Sequence, residues 1–501
     1  MRGAVAGGNT DTVAAGMRAF ELGGNATDAA VAATLMACVS EPLLTGLGGG
    51  GLAMVNMDRR TQVLDFFGTM PGLDGRAHGQ MRGIDVDFGP VTQRFLAGPA
   101  SVCVPGMPQG IWELHQRHGT LPLPQLAEPA VAACSEGVRV SFGTQRSAVL
   151  LWEILQMTEL SAELFGRPDG KGGRRPLMEG DTFYNPALGP TLERLAHEGP
   201  GFLAQGEGAE AMLRCLGQGS ALGPRDLAEY RALWTEPLRL DYRGARIRVP
   251  AAPCQGGFQV FHALQALGAQ PTPEPFSVAQ IQAVSAAQHR AEQALPADLA
   301  DHLFGAEFPR GYLGSGYTTH TSTVDESGNA VAITSSLGET SGWVVPETGI
   351  ATNNFLGEAD VNPPGHPRPA GERLLTMCTP TLIHRGEDVV AMGAGGSSRI
   401  RSAVLHGILY AVDHDLAPAE IPSRPRLHMQ DGVLRLESFE RPAQTVAAIQ
   451  AADPGLVLFP EYSMYMGGLH VAGLWRGRLS AGGDPRRSGS ADVLDGAPGQ
   501  G

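Results

Sequence analysis

The 501-residue sequence is poor in positive charge. It contains 37 lysine and arginine residues against 51 aspartate and glutamate residues, which gives a formal net charge of −14. Nucleic acids and anionic membrane surfaces bind basic proteins, so this balance argues against either as a partner. Long apolar runs are also missing, since no stretch approaches the roughly 18 apolar residues of a membrane span. The sequence therefore indicates neither a nucleic-acid-binding protein nor a membrane protein.

Cysteine is scarce and metal-binding motifs are missing. The six cysteines are far apart and form no CxxC pair, so we expect reduced thiols rather than disulfides or a zinc site. The sequence contains no HExxH, Walker A or GxSxG motif, and its 14 histidines form no cluster. It therefore predicts a protein that uses neither a metal nor a cofactor.

The N-terminus lacks a recognisable targeting signal. "MRGAVAGGNTD" has one arginine and no apolar core segment, so it predicts no signal peptide. We expect a cytoplasmic protein, or a secreted one only if this chain is a trimmed mature form.

What the sequence does contain is the composition of a globular protein, with 43% hydrophobic residues and 68 glycines. Residues 10–22 have the spacing of a helix capped at Thr10 or Asp11, and "NATDAAVAATLMACVSEP" predicts a buried helix capped near Thr27. "GLGGGGLAMVNMD" and "TQVLDFFG" predict two strands joined by a turn. Between roughly 105 and 300 the pattern is mostly helical, with a loop at "GRPDGKGGRRP", and we expect a disordered tail over 491–501.

A run of polar residues opens a predicted strand. "TTHTSTVDESGNAVAIT" (318–334) contains β-branched residues, a turn signal and a second strand, which together predict a hairpin. The hairpin alone does not explain why the strand begins with Thr318, Thr319 and His320. A threonine hydroxyl is a poor nucleophile unless a base lies beside it, and self-cleavage before Thr318 would supply its own α-amine as that base. The alternative is an ordinary hairpin whose histidine is held by its neighbours.

Two glycine-rich stretches predict different structures, a tightly packed turn and a turn that could bind an anion. "GLGGGG" (46–51) fits GxGxxG, but it follows a helix and opens a strand, the reverse of a dinucleotide fingerprint. Tight backbone packing at a turn is the better interpretation. In "GAGGSSRIRSA" (393–403), a predicted strand ends in glycines just before a predicted helix over 401–414. Free backbone N–H groups in such a turn suit an oxyanion or another anion, and a plain glycine-rich turn is the alternative.

Together these stretches resemble the γ-glutamyltranspeptidase family of N-terminal-nucleophile hydrolases, over nearly the whole chain. "GGNATDAAVAATLMACVSEPLLTGLGGGG" is similar to the family's N-terminal signature, and "TTHTSTVDESGNAVAIT" to its self-cleavage segment. "ETGIATNN", "TMCTPTL" and "GAGGSSRI" match later motifs in the right order. The resemblance implies an α+β fold, namely the four-layer αββα sandwich of this superfamily.

The resemblance also implies a processed chain. Thr318 matches the family's nucleophile, so cleavage would fall between Tyr317 and Thr318. The products would be a large subunit of residues 1–317 and a small subunit of residues 318–501, and both would form one αββα unit.

Other members of the catalytic apparatus follow from the same motifs. Thr319 matches the second threonine of the nucleophile motif. Ser336 stands where the family has a threonine whose hydroxyl supports the nucleophile. Gly396 and Ser397 match the glycine pair whose backbone N–H groups form the oxyanion hole, and a serine still supplies its N–H.

The chain departs from the family where the α-carboxylate of a γ-glutamyl group is held. Phe67 stands at the position of the arginine that grips this carboxylate, and Leu375 and Thr376 match a serine pair that also holds it. A buried arginine–carboxylate pair is among the stronger polar contacts, and truncating one partner of such a pair costs about 2–5 kcal/mol. The site therefore cannot be assumed to prefer a glutamyl group.

Three further substrate positions complete the comparison. Gly338 matches an asparagine that contacts the glutamyl group. Glu358 matches the acidic residue that pairs with the α-amine and keeps its charge, whereas Phe355 replaces an amide or acid neighbour.

The resemblance implies an amide hydrolase or acyltransferase that works through an acyl-enzyme on Thr318, with a glutathione-like or other acyl amide as its substrate. We expect hydrolysis to dominate over transfer, because residues 359–374 are too few to hold the lid found in many members. Two alternatives stay open: an acylase for a non-glutamyl group, such as a dicarboxylic side chain on a β-lactam, and an uncleaved, inactive relative that serves as a binding protein.

Overall fold

A computed structural model describes residues 1–87, 92–268, 273–293, 317–363 and 368–495. The strands of this part of the chain are β1 (Gly3–Gly7), β2 (Gly50–Met57), β3 (Arg60–Phe66), β4 (Arg82–Asp87), β5 (Thr92–Ala97), β6 (Val138–Arg139), β7 (Gly166–Pro168), β8 (Arg174–Pro176), β9 (Thr182–Phe183), β10 (Leu233–Thr235), β11 (Leu238–Tyr242), β12 (Ala245–Val249), β13 (Thr318–Asp325), β14 (Ala330–Ser336), β15 (Val344–Val345), β16 (Ile350–Ala351), β17 (Thr381–Arg385), β18 (Asp388–Gly395), β19 (Leu427–Gln430), β20 (Val433–Glu437), β21 (Val457–Phe459), β22 (Gly468–Trp475), β23 (Arg478–Gly482) and β24 (Ser490–Leu494).

Its α-helices are α1 (Thr10–Glu21), α2 (Ala26–Ser40), α3 (Met107–His118), α4 (Leu123–Glu136), α5 (Phe142–Leu150), α6 (Trp152–Leu155), α7 (Glu159–Leu164), α8 (Leu188–Glu198), α9 (Gly201–Ala204), α10 (Glu207–Leu216), α11 (Pro224–Glu229), α12 (Gln255–Gly268), α13 (Val278–Gln293), α14 (Arg399–Val412) and α15 (Ala443–Ala452). None of these helices combines the length and the apolar character needed to cross a membrane.

Two large sheets form the centre of the structure. One has seven strands in the order β10-β3-β2-β14-β13-β1-β24, and the other has six in the order β11-β12-β17-β18-β22-β23. The pairings within both sheets are antiparallel. The hairpin β13–β14 lies inside the first sheet, so the segment that opens with Thr318 has a strand on each side.

The two sheets pack face to face and each is covered by helices. Small side chains such as Ala4, Ala332, Ala391 and Ala472 fill the layer between the sheets. Helices α1 to α4 pack on the outer side of the first sheet, and α12 to α14 pack on the outer side of the second. The result is the predicted α+β fold with four layers, αββα, which is confirmed.

Burial on both faces explains the composition of α2. All of its residues are buried, as expected for a helix that is apolar on nearly every side. The predicted caps were slightly wrong, because Asn9 caps α1 and Asn25 caps α2. Asn25 accepts hydrogen bonds from the backbone N–H groups of Thr27 and Asp28 at 2.8 and 3.0 Å. Asparagine caps a helix as well as aspartate and better than threonine.

The predictions for the hairpin, the C-terminal tail, the loop at 166–176 and the cysteines have different outcomes. The predicted hairpin is confirmed and extends two residues further, to Ser336. The tail prediction is wrong for 491–494, because β24 pairs with β1 at the edge of the seven-stranded sheet; residues 496–501 lie outside the described residues. The loop prediction for "GRPDGKGGRRP" (166–176) is wrong at both ends, because its first and last three residues form the short paired strands β7 and β8. All six cysteines are free thiols, as expected.

Candidate active site

The register of the central hairpin places two hydroxyl groups opposite each other. Thr318, the first residue of β13, pairs with Ser336, the last residue of β14. Thr318 Oγ1 donates to Ser336 Oγ at 3.3 Å, and Ser336 Oγ donates to the carbonyl oxygen of Tyr317 at 2.8 Å. The N–H of Gly338 donates to the same hydroxyl at 3.0 Å. One serine hydroxyl thus joins the predicted nucleophile to the carbonyl of the bond predicted to be cut.

Thr319, the next residue along β13, is hydrogen-bonded to a buried glutamate. Thr319 Oγ1 donates to Glu41 Oε2 at 2.5 Å, and Thr12 Oγ1 donates to Glu41 Oε1 at 2.7 Å. Burial raises the pKa of Glu41 to about 7, against the effect of these two hydrogen bonds. Sequence reasoning missed Glu41, although "SEP" lies in the N-terminal signature. It fixes the strand directly behind the predicted nucleophile.

His320 has a structural explanation. Its Nδ1 lies 2.8 Å from Thr334 Oγ1, and its Nε2 lies 2.8 Å from Ser322 Oγ. Burial lowers the pKa of this histidine well below its usual value. A buried histidine with both nitrogens engaged by hydroxyl groups is held by its neighbours, as the simpler interpretation proposed.

The glycine-rich turn after β18 lies against the nucleophile. A Cβ on Gly395 would come within 1.9 Å of the Thr318 carbonyl oxygen, so only glycine allows this approach. Gly396 has φ +129° and Ser397 φ +49°, and α14 begins two residues later. A turn with positive φ at two successive residues directs backbone groups outward at a helix N-terminus. The predicted oxyanion-hole residues are therefore adjacent to Thr318, and their role stays a prediction.

The glycines of "GLGGGG" allow tight backbone packing, as predicted from the sequence. A Cβ on Gly48 would meet the carbonyl oxygen of Ala351 at 2.1 Å, and one on Gly49 would meet that of Ser336 at 2.0 Å. These glycines let the start of β2 pass close to the end of β14. They position the site without forming a nucleotide-binding loop.

A pocket opens beside the predicted nucleophile. It is lined by Phe67, Thr318, Ser336, Phe355, Glu358, Asp360, Val361, Thr376, Met377, Cys378, Ser397 and Ile400. The structure thus brings together six of the predicted catalytic and substrate positions, plus Phe355. Two other predicted substrate positions do not line the pocket. Leu375 is fully buried in an apolar cluster that also contains Phe67 and Phe355, and Gly338 lies against the carboxyl group of Glu358.

One wall of the pocket is aromatic. The rings of Phe67 and Phe355 stack with centroids 4.6 Å apart and planes inclined by 21°. The backbone of Phe67 is fixed by three hydrogen bonds, to Asp65, Tyr230 and Arg373. Arg373 Nη1 donates to the carbonyl oxygen of Phe67 and its Nη2 to that of Asp65, so this guanidinium is committed outside the pocket.

The pocket is also lined by acidic residues. Glu358 and Asp360 line it, and Glu339 acts electrostatically on both. Burial, together with the neighbouring carboxyl groups, raises the pKa of Glu358 well above its usual value. Burial raises the pKa of Glu339 to about 8 and also raises that of Asp360. Sequence reasoning identified Glu358 but missed Glu339 and Asp360, because neither lies in a position that the resemblance assigned.

Each of these three carboxyl groups has an oxygen without a hydrogen-bond partner: Glu339 Oε1, Glu358 Oε1 and Asp360 Oδ1. Their other contacts are few: Asn354 Nδ2 donates to Glu339 at 3.0 Å, and Ser397 Oγ donates to Asp360 at 2.6 Å. Across the described residues, no three His, Cys, Asp or Glu side chains form a group that could hold a metal ion.

Comparison with known proteins places this site in context. Among curated proteins, the chain is 29% identical over 477 residues to the acylase ACY 1 proenzyme of Pseudomonas sp. strain SE83, covering 87% of this chain and 84% of that protein. It is 28% identical over 486 residues to the glutathione hydrolase proenzyme of Escherichia coli K12, covering 86% and 81%. The fold is similar to that of a cephalosporin acylase from Bacillus halodurans, with TM-score 0.82, 23% identity and coverage of 99% and 96%.

The family assignment rests on a match along almost the entire chain. Residues 12–313 and 311–494 match the sequence model described as Gamma-glutamyltranspeptidase. The two matched segments contain the hairpin β13–β14, the glycine-rich turn and the residues that line the pocket. This chain belongs to the γ-glutamyltranspeptidase family.

Proposed function

We propose that the protein is a self-processing amide hydrolase that forms an acyl-enzyme on Thr318. The observation that carries this proposal is the hydrogen-bonded chain from Thr318 Oγ1 to Ser336 Oγ to the carbonyl oxygen of Tyr317. It joins an attacking hydroxyl and a polarised carbonyl at one peptide bond.

Self-cleavage follows from this geometry. Thr318 Oγ1 attacks the carbonyl carbon of Tyr317, and the Ser336 hydroxyl stabilises the negative charge that develops on the carbonyl oxygen. The C–N bond breaks and an ester forms between Tyr317 and the threonine oxygen. Water then hydrolyses the ester, which frees the α-amine of Thr318 and the carboxylate of Tyr317.

The freed amine makes Thr318 a catalyst for other amides. An α-amine has a pKa of about 7.7–8.0, so it accepts the hydroxyl proton near neutral pH. The hydroxyl attacks the substrate carbonyl, and the N–H groups of Gly396 and Ser397 stabilise the oxyanion. The amine portion leaves, and water or an acceptor amine releases the acyl group from Thr318.

Hydrolysis is proposed to dominate over transfer. In the segment 359–374, the described residues bond to neighbouring backbone: the N–H of Leu374 donates to Gly68 and that of Gly371 to Met70. These bonds draw the end of the segment toward the strand that leads to Phe67. Water then reaches the acyl-enzyme unless an acceptor pocket favours an amine.

The proposed partners are a small acyl amide and the two fragments of the same precursor, residues 1–317 and 318–501. We propose a cytoplasmic location, and we propose that neither a metal nor a cofactor takes part. A non-glutamyl acylase would differ only in the acyl group that the pocket accepts.

A denaturing gel and N-terminal sequencing test the proposal. Scaling the 52.5 kDa mass by length predicts fragments of about 33 and 19 kDa, the smaller beginning TTHTST. Thr318→Ala is expected to stay as one chain and to hydrolyse no amide, whereas Thr318→Ser keeps a hydroxyl and should cleave. A folded wild-type protein that stays intact and hydrolyses no amide would indicate the inactive binding relative instead.

A further inference from the structure

The pocket beside Thr318 has an apolar wall where a γ-glutamyl carboxylate would need a cation. Phe67 and Phe355 are 2% and 1% exposed and belong to one buried apolar cluster with Leu374 and Leu375. Of the described residues that line the pocket, none is a lysine, arginine or histidine. A carboxylate placed against this wall loses its hydration without gaining a partner, which is unfavourable.

The acidic side chains of the pocket have no lysine, arginine or histidine beside them among the described residues of the lining. Glu358 and Asp360 line the pocket, and each has a buried oxygen without a hydrogen bond. Arg399 lies outside this lining, acts electrostatically on Glu339 and Asp360, and donates to the carbonyl oxygen of Tyr465 and to Ser398 Oγ. Buried polar atoms in native proteins are normally satisfied, so unpaired acceptors on residues that line a pocket indicate a donor that binds there.

An ammonium group suits both the unpaired carboxyl oxygens and the aromatic wall. An ammonium ion has three N–H donors for the free carboxyl oxygens, and it is attracted to the face of an aromatic ring. Thr318 and Glu358 line the same pocket, so an acyl chain bound to Thr318 would extend toward Glu358.

We propose that the pocket selects an acyl group that ends in an ammonium group and carries no carboxylate beside it, with Glu358 and Asp360 as its partners and the Phe67–Phe355 stack as its wall. This inference rests on the proposed function, since it names the acyl class that Thr318 would accept. It disfavours both γ-glutamyl and dicarboxylic acyl groups.

Four para-nitroanilides with one leaving group test the acyl preference: γ-aminobutyryl, butyryl, γ-glutamyl and glutaryl. These differ only in the amine and the carboxylate at the far end of the chain. For self-cleaved wild-type protein, kcat/KM is expected to be at least about tenfold higher for γ-aminobutyryl than for butyryl, and lowest for glutaryl. A preference for glutaryl or γ-glutamyl would overturn the inference while leaving the proposed function intact.

Substitutions test whether Glu358 is responsible for the preference for an acyl group that ends in an ammonium group. Glu358→Gln keeps the shape but removes the charge, so the ratio of γ-aminobutyryl to butyryl activity should fall by about tenfold or more. Glu387→Gln is the matched control, because Glu387 is exposed and paired with Arg59 on the surface, and the ratio should not change. An unchanged ratio in Glu358→Gln would contradict the assignment of Glu358.

A binding measurement separates this inference from the proposed function. γ-Aminobutyrate, butyrate and glutarate place a carboxylate where the acyl carbonyl would lie, and only the first adds an ammonium group. γ-Aminobutyrate should raise the melting temperature of the self-cleaved protein more than the other two at equal concentration. A folded protein that neither cleaves itself nor hydrolyses any of the four anilides would contradict the proposed function, whereas tighter binding of glutarate would contradict the inference.

Discussion

Ser336 donates a hydrogen bond of 2.8 Å to the carbonyl oxygen of Tyr317, the residue that precedes the predicted nucleophile. The same hydroxyl accepts from Thr318 Oγ1 at 3.3 Å. Because the antiparallel register sets Ser336 opposite Thr318, the two strands of the hairpin together hold both atoms that react in the proposed self-cleavage.

Ser336→Ala should slow self-cleavage strongly. Loss of one oxyanion donor commonly costs about 100- to 1,000-fold in rate, and the variant should accumulate as a single chain on a denaturing gel. Ser336→Thr restores the hydroxyl and should restore cleavage. Ser335→Ala is the control, because Ser335 accepts from Thr45 Oγ1 at 2.9 Å and does not line the pocket. Equal cleavage rates in Ser336→Ala and wild type would show that another group polarises the carbonyl.

Phe67→Arg should move the acyl preference toward γ-glutamyl amides. A guanidinium at this position would supply the missing partner of the α-carboxylate. Glu358 and Asp360 compete for the same guanidinium, so we expect the ratio of γ-glutamyl to γ-aminobutyryl kcat/KM to rise by only about tenfold. Phe67→Leu removes the aromatic stack without adding charge and should leave γ-glutamyl activity low. A wild type that already hydrolyses γ-glutamyl amides at micromolar KM would show that another residue replaces the arginine.

The balance between hydrolysis and transfer is measured by product partitioning. With a good para-nitroanilide and glycylglycine at tens of millimolar, at about pH 8.5 where most of the acceptor amine is unprotonated, the free acid should exceed the transfer product. An excess of transfer product would mean that an acceptor site outcompetes water, and the open-site argument would then be wrong.

Glu41 should make stability depend on pH. Its folded-state pKa is raised from 4.5 to about 7, so its favourable contribution is complete below about pH 4.5 and is lost as the pH rises through about 7. The difference corresponds to roughly 3 kcal/mol in the free energy of unfolding. The measurement is urea unfolding at about pH 5 and pH 8, with Glu41→Gln compared in a Thr318→Ala background that stays one chain.

Glu41→Gln cannot ionise and should therefore lose less stability between the two pH values than its parent. The remaining buried carboxyl groups, such as Glu339 and Glu358, are present in both proteins and cancel in this comparison. A pH dependence identical to that of the parent would show that Glu41 does not carry the predicted shift.

Much of the fold followed from local sequence patterns. The apolar pattern of α2 and the turn signal between β13 and β14 depend on residues close together in the chain, and both elements form where expected. The order of several motifs identified the family, and with it the αββα arrangement. Where local signals failed, as at residues 491–494, a distant partner was decisive, because β24 is held by pairing with β1.

The composition of the pocket was only half visible in the sequence. The loss of the arginine at Phe67 could be read from a motif, but the stack of Phe67 on Phe355 joins residues 288 positions apart. No pattern in the sequence singled out Glu339 or Asp360. Only the folded chain buries them beside Glu358, where mutual repulsion and desolvation change their chemistry.

The sequence by itself determined the family and predicted the nucleophile Thr318 and the loss of the usual carboxylate grip, since these depend on residue identity within contiguous motifs. The tertiary structure alone decided what surrounds those positions. Stacking, burial and unpaired oxygens are relations between segments brought together by the two sheets, and a carboxyl group takes its charge and its partners from that surrounding space.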